Sequence, residues 1–228
     1  MPTDLPPLKR IRWNHAYRIV PSRFPPVGVF DRIADPNDLE AVFAIEAMTN
    51  PRLREEAGAL KLVPPGRRIS GPGSTPVMAA FTHLNPDGSR FSDGSWGVFY
   101  AAHSVATAVE ETVYHRELFL AATAEPACEI EMRCYCTRID CTLHDLRGGW
   151  PAAHAPHDYA ASVALARTLR ATGSNGIVYS SARHAGGECV AAFYPDVVAP
   201  CMQAQHFIYR WDGVRIAQVL QVSELKRP

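Results

Sequence analysis

The 228-residue chain predicts an α+β fold in a single domain, on three observations. Segments of strand character are many and short, and they are interspersed with few helical ones in mixed order, unlike the regular alternation of a doubly wound sheet. No G-x-G-x-x-G follows a strand, so the phosphate-binding turn of a dinucleotide-binding Rossmann domain is missing. A composition of 47% hydrophobic and 20% charged residues is that of a globular protein long enough to bury one substantial core.

Residues 1–14 are rich in proline and basic side chains and are expected to form a flexible arm ahead of a domain spanning 15–228. HAYRIVP (15–21) reads as a short strand ended by proline. A helical and loop insertion is expected over about 30–76. Asp35 or Asn37 would cap a helix there whose apolar face is Leu39, Val42, Phe43 and Ile45, and the Pro/Gly-rich KLVPPGRRISGPGSTP (61–76) would form a stiff loop or lid. VMAAFTHL resumes a short apolar element. Two Asp-Gly turns then precede a strand at Val98–Ala101. Ser104 caps the next helix, in which Val105, Val109 and Val113 form a stripe at i, i+4 and i+8. CEIEMRCYCTRIDC and its flanks make one long strand or two, and DYAASVALARTLRATG makes an amphipathic helix closed by Gly173. GIVYSSAR and CVAAFYP are strands joined by the turn HAGGE, and HFIYRWDGVRIAQV is a terminal hairpin turning at Asp212-Gly213.

Lys plus Arg and Asp plus Glu both number 23, so nothing draws the whole molecule toward nucleic acid or an anionic membrane. No run of eighteen apolar residues is present, and MPTDLPPLKRIRW lacks the apolar region of a secretory signal, which makes the cytoplasm the simplest location. The six cysteines have no paired C-x2-4-C spacing, so they read as reduced structural residues rather than zinc ligands. His144, His154 and His157 lie in or near a Gly/Pro-rich stretch without the spacing of a metal site and read as surface residues. Arg67 and Arg68 read as a solvated loop by default, with an acidic partner as the alternative.

The helix after Ser104 poses the functional question, because Thr107, Glu111 and His115 place a hydroxyl, a carboxylate and an imidazole on successive turns of one face. Alone, that is also how a solvated helix face looks. Several further segments resemble the RES-domain family together with it: AYRI (Tyr17, Arg18), Arg90 and Phe91 shortly before the strand Tyr100, TAVEETVYH, and GSNGIVYSSARHAGGECVAAFYP with its Tyr179, Ser181 and Arg183. The resemblance runs from about residue 15 to about 220. Members of that family are toxins of type II toxin–antitoxin pairs.

The resemblance implies an ADP-ribosyltransferase-like fold, a split and mostly antiparallel β core with flanking helices and NAD in the cleft. It implies cleavage of the nicotinamide–ribose bond, with ADP-ribose passed to a protein side chain, to water or to phosphate. The family's arginine matches Arg18 or Arg90, its glutamate Glu111 and its serine Ser181, with Ser180 adjacent. Tyr100 matches its strand tyrosine and His115 a helix histidine. These types suit the chemistry, since a guanidinium holds two phosphate oxygens at once. A carboxylate stabilises the ribosyl cation as it develops. Tyr100 would wall in nicotinamide, while Thr107, His115, Ser181 and Arg183 would complete the pocket. No metal is expected. The implied partner is an Xre-like DNA-binding antitoxin that covers the cleft, so no direct contact with nucleic acid is expected of this chain. The rival is a binding module that holds NAD or a partner without turnover.

Overall fold

The computed structural model describes residues 5–21, 28–33, 35–49 and 58–223. In chain order the strands and helices are β1 (Leu8–Pro21), α1 (Leu39–Thr49), α2 (Thr75–Thr82), β2 (Phe99–Ala102), α3 (Val105–Ala122), β3 (Cys128–Asp145), α4 (Ala160–Ala171), β4 (Gly176–Ser180), β5 (Glu188–Ala192), β6 (Met202–Trp211) and β7 (Ile216–Val222). The seven strands form one sheet in the order β1-β2-β5-β4-β3-β6-β7, in which only β3 and β4 run parallel. β1 also pairs with β3, so five of the strands close a circuit.

Strand β3 makes the sheet split. Its first half holds β6 from Cys128 to Cys136, and on the same edge its last two residues, His144 and Asp145, hold β4. The segment before β6 fills the gap, where Thr137 Oγ1 donates to the Ala199 carbonyl at 2.6 Å and Val198 bridges Ile139. This is the split, mostly antiparallel α+β architecture expected from the sequence.

Two apolar cores lie on opposite faces of the sheet, as the alternation of side chains along a strand requires. Phe99, Ala101, Val178 and Val190 face the first core, which α1 and α2 cover with Leu39, Val77, Met78 and Phe81. Ala102, Tyr179, Cys189 and Ala191 face the second, against Ala108 of α3 and Ala166 and Leu169 of α4. Leu143 of β3 is fully buried in the first core. Leu143→Ala is expected to cost about 2–5 kcal/mol of unfolding free energy, measured as a lowered denaturant midpoint at unchanged slope.

Several expectations need correction. Residues 8–14 are strand rather than arm, because Ile11 and Trp13 turn into the first core while Leu8–Trp13 pairs residue by residue with His144–Ile139; residues 1–4 lie outside the described residues. His144 is buried rather than a surface residue, and its Nδ1 lies 2.6 Å from the Pro6 carbonyl. Arg68 is buried too, with Nη2 on Glu40 at 2.8 Å and Nε on the Val63 carbonyl, and Arg67 lies over the Tyr194 ring while bonding Asp196. The 61–76 loop is therefore pinned to the body. Gly73 marks the closest approach: it has φ +81°, and a Cβ there would meet the Cys201 carbonyl at 2.4 Å.

All six cysteines are free, and five are buried. Burial pushes the Cys134 thiol up to about 12, which keeps it a thiol at neutral pH. Among the described residues no helix is long and apolar enough to cross a membrane.

An ion-pair network ties the end of β3 to β5. Arg147 bonds Asp145 at 2.7 Å and Glu188 at 3.0 Å. The Arg147 guanidinium holds the Asp145 carboxyl below its ordinary range, so its contribution is present above the unfolded carboxylate pKa and is lost as pH falls through the lowered folded value. Asp145→Asn is expected to lower stability by about 2 kcal/mol at pH 7. The gap from the parent should narrow as pH falls through the lowered carboxyl value, in denaturant melts run across pH.

Candidate active site

The site is built where α3 meets the turn between β4 and β5. The Ser104 side chain caps α3 by accepting from the Thr107 N–H at 3.1 Å, and its hydroxyl lies 2.9 Å from Thr107 Oγ1. Thr107 is 1% exposed, and its hydroxyl also meets His184 Nδ1 at 2.9 Å. Gly187 lets the turn come this close, since a Cβ there would lie 2.7 Å from the Thr107 side chain.

One turn further along α3, Glu111 Oε1 accepts a 2.6 Å hydrogen bond from Ser181 Oγ. The same serine oxygen accepts from the backbone N–H groups of Arg183 and His184, at 3.1 and 3.0 Å. With two donors already pointing at its lone pairs, the hydroxyl directs its proton to the carboxylate. The bond is short and charge-assisted, and it fixes both the carboxylate and the turn.

Arg90 and Tyr100 stand beside this pair. Tyr100 Oη accepts from the Phe91 N–H at 2.9 Å and lies 2.8 Å from Ser89 Oγ, so the tyrosine holds the segment that carries Arg90. Burial pushes the Tyr100 phenol up to about 12, so it is neutral at pH 7. Arg90 is 7% exposed, its Nη1 donates to the carbonyls of Ala153 and Ala155, and its guanidinium lies 4.6 Å over the Tyr159 ring. Arg183 lies 3.3 Å over the Tyr114 ring, and its Nη2 reaches the Pro156 carbonyl and Tyr159 Oη.

The charges of Glu111, Arg183 and Arg90 all act on His115, and those of Glu111 and Arg90 also act on the buried Tyr179 hydroxyl, which places these groups in one cluster. Desolvation is the largest influence on His115 and lowers its pKa; Glu111 opposes it, and Arg183, Arg116 and Arg90 add to it. The residue is exposed, yet at neutral pH the imidazole is uncharged and can donate and accept hydrogen bonds.

The structure thus brings together Arg90, Tyr100, Thr107, Glu111, His115, Ser181 and Arg183. It turns away two residues expected with them. Ser180 Oγ points to the Arg147 carbonyl, as the strand alternation that aims Ser181 at Glu111 demands. Arg18 lies on the other face of the sheet: its neighbours Tyr17 and Ile19 face the second core, while its guanidinium lies 4.9 Å over Phe99 of the first core and bonds the Tyr100 carbonyl. Desolvation there lowers its pKa from the ordinary arginine value. Arg18 therefore supports the backbone of β2 from behind instead of entering the cluster.

Sequence reasoning missed His184, Tyr114 and Tyr159. His184 stands in ARHAGGE, where Gly186-Gly187 signalled only a turn; the signal was the side chain placed three residues after Ser181 on the tight return to β5. Tyr114 was hidden because it precedes His115 by one residue, on a different helix face. Among the described residues no three His, Cys, Asp or Glu side chains converge as metal ligands.

Residues 65–212 match the model of the RES domain, a span that carries every member of the cluster and leaves out Arg18. A protein of Sinorhizobium fredii, named uncharacterized protein y4oC, is 31% identical over 208 residues, which is 88% of this chain and 84% of that one. A chain in the crystal structure of the M. tuberculosis MbcT–MbcA toxin–antitoxin complex is similar at 13% identity and a TM-score of 0.41, covering 90% of this chain and 87% of that one. With more than half of its length inside the family model, this chain belongs to the RES-domain family.

Proposed function

We propose that the chain is an NAD-consuming enzyme that breaks the nicotinamide–ribose bond and transfers ADP-ribose to a protein, acting as the toxin of a toxin–antitoxin pair. The observation that carries this reading is the 2.6 Å Ser181–Glu111 hydrogen bond with Arg90 and Arg183 beside it. When the C1′–N bond breaks, its electron pair leaves with nicotinamide and positive charge develops on the ribose. Ser181 holds Oε1, and Glu111 Oε2 takes no hydrogen bond among the described residues, so that oxygen is free to face the cation and a ribose hydroxyl. The two guanidiniums suit the pyrophosphate, which needs donors where no glycine-rich loop supplies them. Tyr100 and Thr107 position the site from behind, and His115 at its rim offers an uncharged hydrogen-bonding group.

The acceptor then adds to C1′ and its proton is lost to solvent or to a base. A protein side chain, water and phosphate are distinguished by geometry at that step. Family membership also supports an Xre-like antitoxin that covers the cleft, and an NAD-depleting or protein-modifying toxin would act in the cytoplasm. The test is to incubate the purified chain with NAD, with and without phosphate and cell lysate, following nicotinamide and label from adenylate-labelled NAD. Nicotinamide release with label on a lysate protein is the expected result. Release without label would make the enzyme a glycohydrolase or phosphorylase, and no release from folded protein would leave a binding module.

A further inference from the structure

The two arginines of the cluster are already occupied, and by the same short segment. Arg90 Nη1 donates to the carbonyls of Ala153 and Ala155 at 3.1 and 2.9 Å, and Arg183 Nη2 donates to the carbonyl of Pro156. Three carbonyl oxygens within four residues are thus presented to two guanidiniums that come from different parts of the fold, one before β2 and one after β4. Such a row of acceptors resembles what a phosphate chain would offer.

Among the described residues, the side-chain contact that ties the exposed part of the segment to α3 is a 2.8 Å hydrogen bond between Tyr114 Oη and His157 Nδ1, while Asp158 Oδ1 accepts from the Ala160 N–H at the start of α4 and His154 Nδ1 lies 3.1 Å from the Trp150 carbonyl. Its inner end is fixed, because Ala153 is 4% exposed in the second core. Beyond the inner end, Pro156, His157 and Asp158 are exposed. Two buried nitrogens, Arg183 Nε and His154 Nε2, have no hydrogen-bond partner. A buried donor on a guanidinium left without an acceptor is costly, and in a native fold it calls for an explanation such as an ion or ligand group.

We propose that residues 154–158 are a displaceable cover over the Arg90–Arg183 pair, and that a pyrophosphate-class ligand opens it by taking the places of the Ala155 and Pro156 carbonyls. Ala153 is the hinge, and the His157–Tyr114 bond is the latch. Arg183 Nε then gains the acceptor it lacks. The proposal rests on the reading of these arginines as the phosphate-binding groups of the NAD site, and it adds a regulation to that site. The chain's own carbonyls compete with the ligand, so the observed affinity is the intrinsic one reduced by the fraction of molecules that are open. Anything that loosens the latch tightens binding.

The experiment uses the full chain and inorganic pyrophosphate, with His157→Ala as the variant, since this residue belongs to the cover and makes its latch to Tyr114 without touching the Glu111–Ser181 pair. Pyrophosphate affinity is measured by calorimetry, and the state of the cover by NMR of the Ala155, His157 and Asp158 resonances during titration. The expected result is that pyrophosphate moves these resonances while that of Ala153 stays in place, and that His157→Ala binds several-fold more tightly than the parent. Absence of pyrophosphate binding, binding with the 154–158 resonances unmoved, or equal affinity in the variant would each overturn the cover. NAD turnover in the same samples separates the two readings. Turnover with an unmoved cover sinks only this inference, whereas pyrophosphate-driven opening without any NAD binding or turnover sinks the NAD reading and leaves the cover standing.

Discussion

Glu111→Gln is expected to lower the rate of nicotinamide release from NAD by about 10²–10³-fold while leaving the fold intact. The substitution is nearly isosteric, and the amide oxygen can still accept the Ser181 proton that Oε1 accepts at 2.6 Å. What disappears is the negative charge that would face the ribosyl cation. Because that charge matters as the bond breaks, the loss should fall on kcat, with KM changed little. Ser181→Ala should follow in the same direction with a smaller effect: it removes the donor that holds the carboxylate and leaves the N–H groups of Arg183 and His184 without their acceptor. Steady-state nicotinamide release, with thermal melts of each variant as a control, decides the matter. A Glu111→Gln protein as active as the parent would remove the carboxylate from the mechanism.

Much of this arrangement was legible in the chain because local chemistry and tertiary structure agree. Ser104 caps α3 as its hydroxyl predicts, Gly173 follows α4 with φ +78°, and Asp212-Gly213 turns the β6–β7 hairpin. Where the two part company, long-range pairing decides. The prolines and basic residues of 1–14 suggested an arm, yet β3 offers an edge along its length and recruits Leu8–Trp13 into the sheet.

Helix α3 gives a subtler case. Val105, Val109 and Val113 do pack against the second core, but they are only partly buried, and Thr107 and Ala108 lie deepest. The valine stripe marks a flank. The inward face is set by the turn 184–187, whose His184 supplies the polar partner that makes a buried threonine hydroxyl tolerable. No periodicity within the helix carries that information. The choice between Arg18 and Arg90 was open for a related reason: alternation along β1 puts Arg18 opposite Tyr17 and Ile19, but only the packed sheet tells which face receives α3.

That choice carries the second large effect. Arg90→Lys is expected to raise KM for NAD by tenfold or more, with a smaller fall in kcat, because an ammonium keeps the charge but loses the planar fork that can grip two phosphate oxygens. Arg18→Lys should leave KM close to the parent's and act on stability instead, by weakening the bond to the Tyr100 carbonyl and the stacking on Phe99. Measuring both KM and the unfolding midpoint for each variant separates an anchor from a support. An Arg18→Lys enzyme with a raised KM at unchanged stability, beside an Arg90→Lys enzyme with neither defect, would reverse the assignment. The expected pattern follows from location: each arginine has an aromatic face and a backbone oxygen to bond, but Arg90 shares its surroundings with Glu111, His115 and Arg183, whereas Arg18 lies against Phe99 and the Tyr100 carbonyl on the other face of the sheet. A guanidinium in the first setting can exchange its carbonyl partners for a ligand that enters beside Glu111, and a guanidinium on the opposite face of the sheet cannot reach that ligand.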